Sequence, residues 1–257
     1  MKMKKALVAL VCAIALVTAT FLGTMAYFTS QDTVTNTFTV GKVKIDLDEK
    51  NFDGKDKEGK DNSSVERDDY NTYHLIPGVP VEKDPRVTVE ANSEDAYVRM
   101  LVNVKNMDHL KKAFEKKEAA EGATLTEAEQ AFNAKYWAED LFLIQSVVEG
   151  WDKDTWKYVG YTSKDVIEKD KDNNDVTVNY GTYEFRYHNK TTPVDYVVKS
   201  EQATVLDELF EKVLIDGPDV NNDEIALLAD VVIEVEAHAI QKAGFDNADQ
   251  AWAAFTK

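Results

Sequence analysis

The chain is nearly free of cysteine. Cys12 is the only one in 257 residues, and it lies inside the apolar stretch near the N-terminus. If that stretch is removed during export, the remaining protein cannot form a disulfide, use a thiol as a nucleophile or bind a metal through sulfur. An exported chain without disulfides fits the surface of a Gram-positive bacterium better than a eukaryotic secretory route.

Common catalytic motifs are missing as well. The sequence contains no HExxH zinc motif, no GxSxG nucleophile elbow and no glycine-rich phosphate loop. No two of its four histidines are spaced four residues apart; they are His74, His109, His188 and His238. A lone histidine on a strand is more often a structural residue than a metal ligand, so we expect no firm metal site. Since the catalytic motifs are missing, we also expect no catalytic residues and no enzyme.

Basic residues are outnumbered. The chain has 30 lysines and arginines against 47 aspartates and glutamates, a formal net charge of −17. Without the three lysines of residues 1–26 the balance becomes 27 against 47, a charge of −20. Such a surface repels nucleic acid and anionic membranes, so we expect neither as a partner, whereas it attracts calcium.

Two acidic loops are weak calcium candidates. Both offer oxygen atoms at alternate positions, but both lack the glycine at the sixth position and the glutamate at the twelfth that a calcium loop uses. The oxygen-bearing residues are Asp170, Asp172 and Asn174 in the first loop and Asp219, Asn221 and Asp223 in the second. The simpler interpretation of each is a polar turn, and we expect no cofactor beyond this calcium alternative.

The one long apolar run lies at the N-terminus. Within residues 1–26 a short lysine-rich stretch precedes an uncharged run, which ends in the small residues Thr24 and Ala26. This order is typical of a secretory signal peptide, with cleavage between Ala26 and Tyr27. The run is barely long enough for a permanent membrane helix, the main alternative. Cys12 lies too early for a lipoprotein signal.

Alternation of apolar and polar residues recurs along the chain and predicts strands. We expect strands at 42–48, 86–90, 97–104, 141–148, 156–161, 176–188, 194–198 and 229–240. The segments 86–90 and 97–104, separated by a turn, are expected to form a hairpin. About eight to ten short strands with turn signals between them indicate a mainly β, antiparallel β-sandwich, in a single domain over residues 27–257.

Helical spacing marks three connections between the strands. Residues 108–138 are interpreted as a helical insertion. Thr204 is expected to cap a helix whose apolar side holds Leu206, Leu209, Phe210 and Val213. A short last helix is expected to follow Asn247, which would cap it.

Residues 27–40 form a candidate donor strand. Threonines alternate there with Val34, Asn36, Phe38 and Val40, a pattern that favours β structure. A β-prone strand beside a free N-terminus suits addition to the sheet of a neighbouring subunit, because main-chain hydrogen bonds supply affinity and apolar side chains supply register. The expected polymerisation residues are Phe28, Val34, Phe38 and Val40. The alternative is that the segment is an ordinary first strand of its own sandwich.

Several short motifs lie in the leader and in the segments that follow it. They are Leu22-Gly23-Thr24-Met25-Ala26, Tyr27-Phe28-Thr29-Ser30, Phe38-x-x-Gly41-x-Val43-x-Ile45-x-Leu47, Leu75-x-Pro77-Gly78, Lys83-Asp84-Pro85 and Asp95-Ala96-Tyr97-Val98-Arg99. Through them the chain resembles the TasA/camelysin (CalY) family, surface proteins of Gram-positive bacteria with SipW-dependent-type signal peptides. The N-terminal match covers about a fifth of the chain, and the middle of the chain matches only in style.

The resemblance implies a jelly-roll β-sandwich and a leader that a dedicated SipW-like signal peptidase removes. It also implies that the mature chain polymerises with itself, head-to-tail, into extracellular biofilm-matrix fibres, with the freed N-terminal strand of one subunit completing the next. A head-to-tail interface that does not close builds filaments. An accessory matrix protein is a further candidate partner, and no membrane contact is expected after cleavage.

Two other functions stay open. Camelysin-like members are described as metallopeptidases, so one alternative is a secreted metallopeptidase with histidine and acidic ligands from separate strands. The other is a monomeric surface adhesin that binds glycans through aromatic side chains. Its candidate residues are Tyr158, Tyr161, Tyr183 and Tyr187, although their positions also suit core or sheet-face residues.

Overall fold

The computed structural model of the chain describes residues 29–33, 36–39, 43–56, 58–69, 78–114, 142–215 and 227–255. Within these ranges the protein is mainly β, and its strands pair in antiparallel fashion. This confirms the fold class predicted from the alternation of apolar and polar residues. The predicted leader, residues 1–26, lies outside the described ranges.

The elements of the described ranges are as follows. The strands are β1 (Thr29–Thr33), β2 (Asn36–Thr39), β3 (Ile45–Lys50), β4 (Arg67–Asp68), β5 (Val81–Glu82), β6 (Arg86–Val89), β7 (Ala96–Lys105), β8 (Val148–Glu149), β9 (Trp156–Lys169), β10 (Asp175–Tyr187), β11 (Thr204–Val205), β12 (Lys212–Val213) and β13 (Val232–Gln241). The helices are α1 (Met107–Phe114), α2 (Phe142–Ser146) and α3 (Ala248–Ala254). α1 begins the insertion expected at 108–138, and residues 115–141 lie outside the described ranges.

The strands form three sheets. A six-stranded sheet has the order β2-β1-β13-β7-β10-β9, a four-stranded sheet the order β11-β6-β3-β4, and a small sheet the order β5-β12-β8. Alternate residues of the two larger sheets share one apolar core, as in a β-sandwich. From the smaller of the two come Ile45, Leu47, Val87 and Val89, and from the six-stranded sheet come Val98, Met100, Val102, Val235, Ala237 and Ala239.

Strands β6 and β7 do not form the expected hairpin. β6 pairs with β3 and β11, whereas β7 pairs with β10 and β13. The turn between them contains Asn92 at a φ of 63°, a left-handed conformation that asparagine tolerates, and the chain passes there from one sheet to the other. Alternation shows which face of a strand is buried, but it does not identify the neighbouring strand.

Three of the predicted strands also differ from expectation. The run at 141–148, predicted as a strand, forms α2 followed by β8, since a short buried apolar run fits either element. The segment 194–198 makes only isolated bridges. The aromatic strand expected at 156–161 continues to Lys169, because it pairs along its length with β10.

The helix predicted after Thr204 is not formed. Leu206 donates its N–H to the carbonyl oxygen of Val87, and Leu209 donates to that of Pro85. The backbone is thus satisfied by another strand rather than by its own preceding turn, which overrides the helical spacing of the apolar residues. Those residues are buried nonetheless.

The last helix, α3, confirms its sequence signal. The Asn247 side chain accepts a hydrogen bond from the N–H of Gln250 at 3.0 Å, as an N-cap does. The helix covers the outer face of the six-stranded sheet, where Trp252 packs in a small apolar cluster with Tyr97 and Ile240. α3 therefore lies directly over β13 and β7.

Candidate assembly edge

β13 is the strand that the N-terminal hairpin covers. β1 pairs with it antiparallel, from Thr29 opposite Ile240 to Thr33 opposite Glu236. β2 pairs with β1 and is the outermost strand at this end of the six-stranded sheet. Two strands thus replace the single strand expected over 27–40, and without them the edge of β13 would be open.

The inner side of β13 carries small residues at this edge. Ala237 and Ala239 are fully buried, and in the register they lie opposite Asp32 and Ser30 of β1. Main-chain hydrogen bonds hold antiparallel strands together whatever their side chains are. An edge of this kind is one to which an extended segment can add through main-chain hydrogen bonds.

The outer face of β13 is closed by α3. Arg99 and His238 are register neighbours on β7 and β13. The guanidinium of Arg99 lies 4.4 Å from the centre of the Trp252 ring and 5.1 Å from that of Phe255. Burial lowers the pKa of Arg99, while the nearby carboxylate of Glu184 opposes that shift. Arginine stays charged at any relevant pH, so α3 packs on a cation.

The opposite end of the six-stranded sheet is protected against pairing. β9 is a long edge strand, but its register with β10 shifts between Glu184 and Phe185, so that Val159 lies opposite no residue. Three lysines also lie along it, Lys157, Lys164 and Lys169. Bulges and lysines disfavour edge-to-edge association, which leaves the N-terminal end of the sheet as the better candidate for assembly.

The predicted polymerisation residues lie partly within this end. Phe38 lies in β2, opposite Gln31 of β1. The other predicted residues lie outside the described ranges; they are Phe28, Val34 and Val40, together with Ala26 and Tyr27 at the cleavage site. The structure therefore brings part of the candidate donor segment to a sheet edge, and the role of that segment in polymerisation stays a prediction.

The first calcium candidate, residues 170–174, forms a turn that hydrogen bonds to Asp170 hold in place. The carboxylate of Asp170 accepts hydrogen bonds from the N–H groups of Asp172 at 2.9 Å and Asn174 at 2.8 Å. These bonds, chiefly those from Asn174, hold the pKa of Asp170 below its usual range. Asp219 and Asp223 lie outside the described ranges. Where side chains are described, no three His, Cys, Asp or Glu residues are grouped to hold a metal ion, and calcium binding stays a prediction.

The tyrosines considered for glycan binding belong mostly to the core. Tyr183 and Tyr187 are buried. The ring of Tyr161 lies 4.8 Å from that of Tyr183, and Tyr158 packs 5.8 Å from Phe185. The four residues therefore do not form the exposed aromatic surface that the adhesin alternative needs.

Sequence reasoning missed the charged cluster beneath α3, which contains Arg99, Glu236 and His238. Its only local signal is the alternation of Glu234, Glu236 and His238 along one face of β13. Arg99 joins them only through the pairing of β13 with β7, which the sequence pattern does not predict.

Among the described helices, none is both long and apolar enough to span a membrane. The chain matches no family model, no curated protein and no solved structure.

Proposed function

We propose that the chain is an exported structural subunit of extracellular fibres, at the cell surface or in the biofilm matrix of a Gram-positive bacterium. The N-terminal segment of one copy pairs with β13 of the next, so that subunits join head-to-tail. The two larger sheets belong to a jelly-roll-like sandwich that the added strand completes. The pairing of β1 with β13 carries the proposal, because it places the N-terminal segment at an edge that an equivalent segment can occupy.

Removal of the leader starts assembly in this proposal. A SipW-like signal peptidase cuts between Ala26 and Tyr27, and until then the leader tethers the segment and prevents premature pairing. After the cut, the freed end leaves its own β13 and binds that of a neighbour. The chain itself and the peptidase are the required partners, and an accessory matrix protein is an additional one.

Donor and acceptor are different surfaces, which determines the form of the assembly. The donor is the N-terminal segment, and the acceptor is the edge of β13. An interface between unlike surfaces that does not close on itself produces an open filament. A reciprocal exchange between two copies would instead give a closed dimer, and particle size distinguishes the two.

A disulfide between β1 and β13 tests the proposal. Ser30→Cys combined with Ala239→Cys places thiols at opposed register positions, close enough for a disulfide in an antiparallel pair. Residues 27–257 contain no other cysteine. We expect the purified, oxidised variant to remain monomeric in negative-stain electron microscopy, and the reduced variant to form fibres.

A matched disulfide inside the sheet is the control. Asn103→Cys with Thr182→Cys links β7 to β10 at opposed positions and should assemble whether oxidised or reduced. Deletion of residues 27–40 should abolish assembly. Fibres growing equally fast from the oxidised and reduced Ser30→Cys/Ala239→Cys protein would contradict the proposal, as would a wild-type chain that stays monodisperse under all assembly conditions.

A further inference from the structure

His238 is a fully buried imidazole on the outer face of β13. Its side chain is 0% exposed. The ring stacks on Phe255, the C-cap residue of α3, with ring centres 4.9 Å apart and planes at 20°. Bulk water therefore does not solvate the ring, and its protonation depends on its neighbours.

Both ring nitrogens face charged groups. Nε of Arg99 donates to Nδ1 of His238 over 3.2 Å, and Nε2 lies 3.3 Å from Oε2 of Glu236. Because a guanidinium only donates, Nδ1 is the acceptor, and the imidazole proton lies on Nε2, facing the carboxylate. In this arrangement the ring is neutral.

The other elements packed here add charges that are paired with one another. On β10, Glu184 lies 3.5 Å from the β7 guanidinium, and Arg186 pairs with Asp249 of α3. β1 contributes the uncharged Gln31 at the register position opposite the ring. The carboxylate of Glu236 faces the Nε2 proton before and after protonation, so the hydrogen bond that protonation removes is the one at Nδ1.

We propose that His238 is a proton-sensitive latch that holds α3 on the outer face of β13. A second proton can be added only at Nδ1. This proton removes the acceptor for Arg99. It also places an imidazolium beside the guanidinium, whose Nε now lies 3.2 Å from Nδ1, in a site closed to water. The two groups separate, the stacked rings of α3 lose their support, and the helix is released; neutralisation restores it.

The contacts of α3 explain why release follows. The helix has seven residues, too few to be stable alone. Its docking contacts with charged groups of the sheet run through this cluster: Trp252 and Phe255 cover Arg99, Phe255 covers His238, and Asp249 pairs with Arg186. Once the cluster opens, the remaining apolar contacts do not hold a helix this short.

Amide hydrogen exchange of residues 27–257, held monomeric by the oxidised Ser30→Cys/Ala239→Cys pair, tests the latch without fibres. We expect protection of residues 248–255, corrected for intrinsic exchange, to fall roughly tenfold or more between pH 7.5 and pH 5.5, across the ordinary imidazole value of about 6.5. Protection of β10 should not change. Unchanged protection of α3 over this range would overturn the proposal.

Substitutions identify the responsible group. His238→Gln keeps an acceptor for Arg99 but takes up no proton, so α3 should stay protected at pH 5.5. His188→Gln is the matched control. The His188 imidazole pairs at 2.7 Å with the exposed Asp195 and is not part of the cluster around Arg99, so this variant should retain the wild-type response. Asp249→Asn removes the ion pair with Arg186 but leaves His238 in place, so α3 should still lose protection at pH 5.5, by a smaller factor than in the wild type.

A titration of the wild type covers the case in which His238→Gln does not fold. The ring carbon signals of His238, followed by NMR, should titrate with the same midpoint as the loss of α3 protection. Different midpoints, or the same acid response in a folded His238→Gln variant, would overturn the latch. Because fibre growth is not measured, failure here leaves the proposed function untouched.

Discussion

Gly181 lies where β10 passes beneath α1 and beside β9. A Cβ at this position would be 2.9 Å from Cγ of Met107 and 2.9 Å from Cε2 of Tyr161. Met107 is fully buried, and the Tyr161 ring packs on Tyr183, so neither neighbour can easily yield. The missing side chain therefore allows α1 and an aromatic ring to close over the strand.

Gly181→Ala should destabilise the protein. We expect the free energy of unfolding to fall by about 1–3 kcal/mol, as for overpacking in a core, measured by urea denaturation of residues 27–257. Gly160→Ala on the neighbouring strand is the matched control. Its Cβ would meet no atom within 4 Å, so stability should stay equal or rise by about 0.4–1 kcal/mol. Equal losses in both variants would contradict the packing argument.

His238 shows the limit of sequence reasoning for single residues. From the sequence, a lone histidine on a strand is expected to be structural more often than metal-binding. Its neighbours come from β7 and from α3, far apart in the sequence. The pattern along one strand predicts the face on which a residue lies, but the groups facing it follow only from pairing between strands.

At the level of elements, local signals succeed where no other part of the chain competes for the backbone. Asn247 and the apolar spacing after it predict α3 correctly, because this segment lies on the outer face of a sheet. Thr204 offers a similar signal, but the backbone after it pairs with the β6 region instead. Strands β7 and β10 were predicted well, since alternation continues along most of their length.

Asn247→Ala should weaken α3 selectively. Loss of the cap hydrogen bond to Gln250 typically costs about 1 kcal/mol, so amide exchange of the helix should accelerate roughly fivefold at pH 7.5. Asn247→Asp keeps an acceptor and should behave like the wild type. Exchange rates unaffected by Asn247→Ala would show that packing on Arg99 alone holds the helix in place.

At the level of the whole molecule, charge and sheet topology both bear on the proposed assembly. The composition shows an acidic protein, with a formal charge of −17. Alternation in residues 27–40 predicts β structure there, and the described part of the segment is indeed β. Its place at the edge of β13 could not be predicted, because the pairing joins the two ends of the chain.

In the proposed fibres, copies of like charge must approach one another, so fibre growth should accelerate with salt. Raising the ionic strength from about 10 mM to about 150 mM shortens the screening length from about 30 Å to about 8 Å. Light scattering of residues 27–257 should therefore show a shorter lag. Calcium and magnesium chloride at equal ionic strength should act alike. A specific effect of calcium would instead support one of the acidic loops as a binding site, and slower growth in salt would contradict the charge argument.

The bulge at Val159 makes the two margins of the large sheet unlike each other. In the proposed assembly, the first margin exchanges its outer strands, whereas the bulge and the lysines of the second disfavour pairing with a new strand. A filament of such units would be polar, with an unpaired β13 edge at one end and an unpaired N-terminal segment at the other. A copy lacking residues 27–40 could then receive a neighbour yet offer nothing onward, so a small admixture of it would terminate chains and set their length.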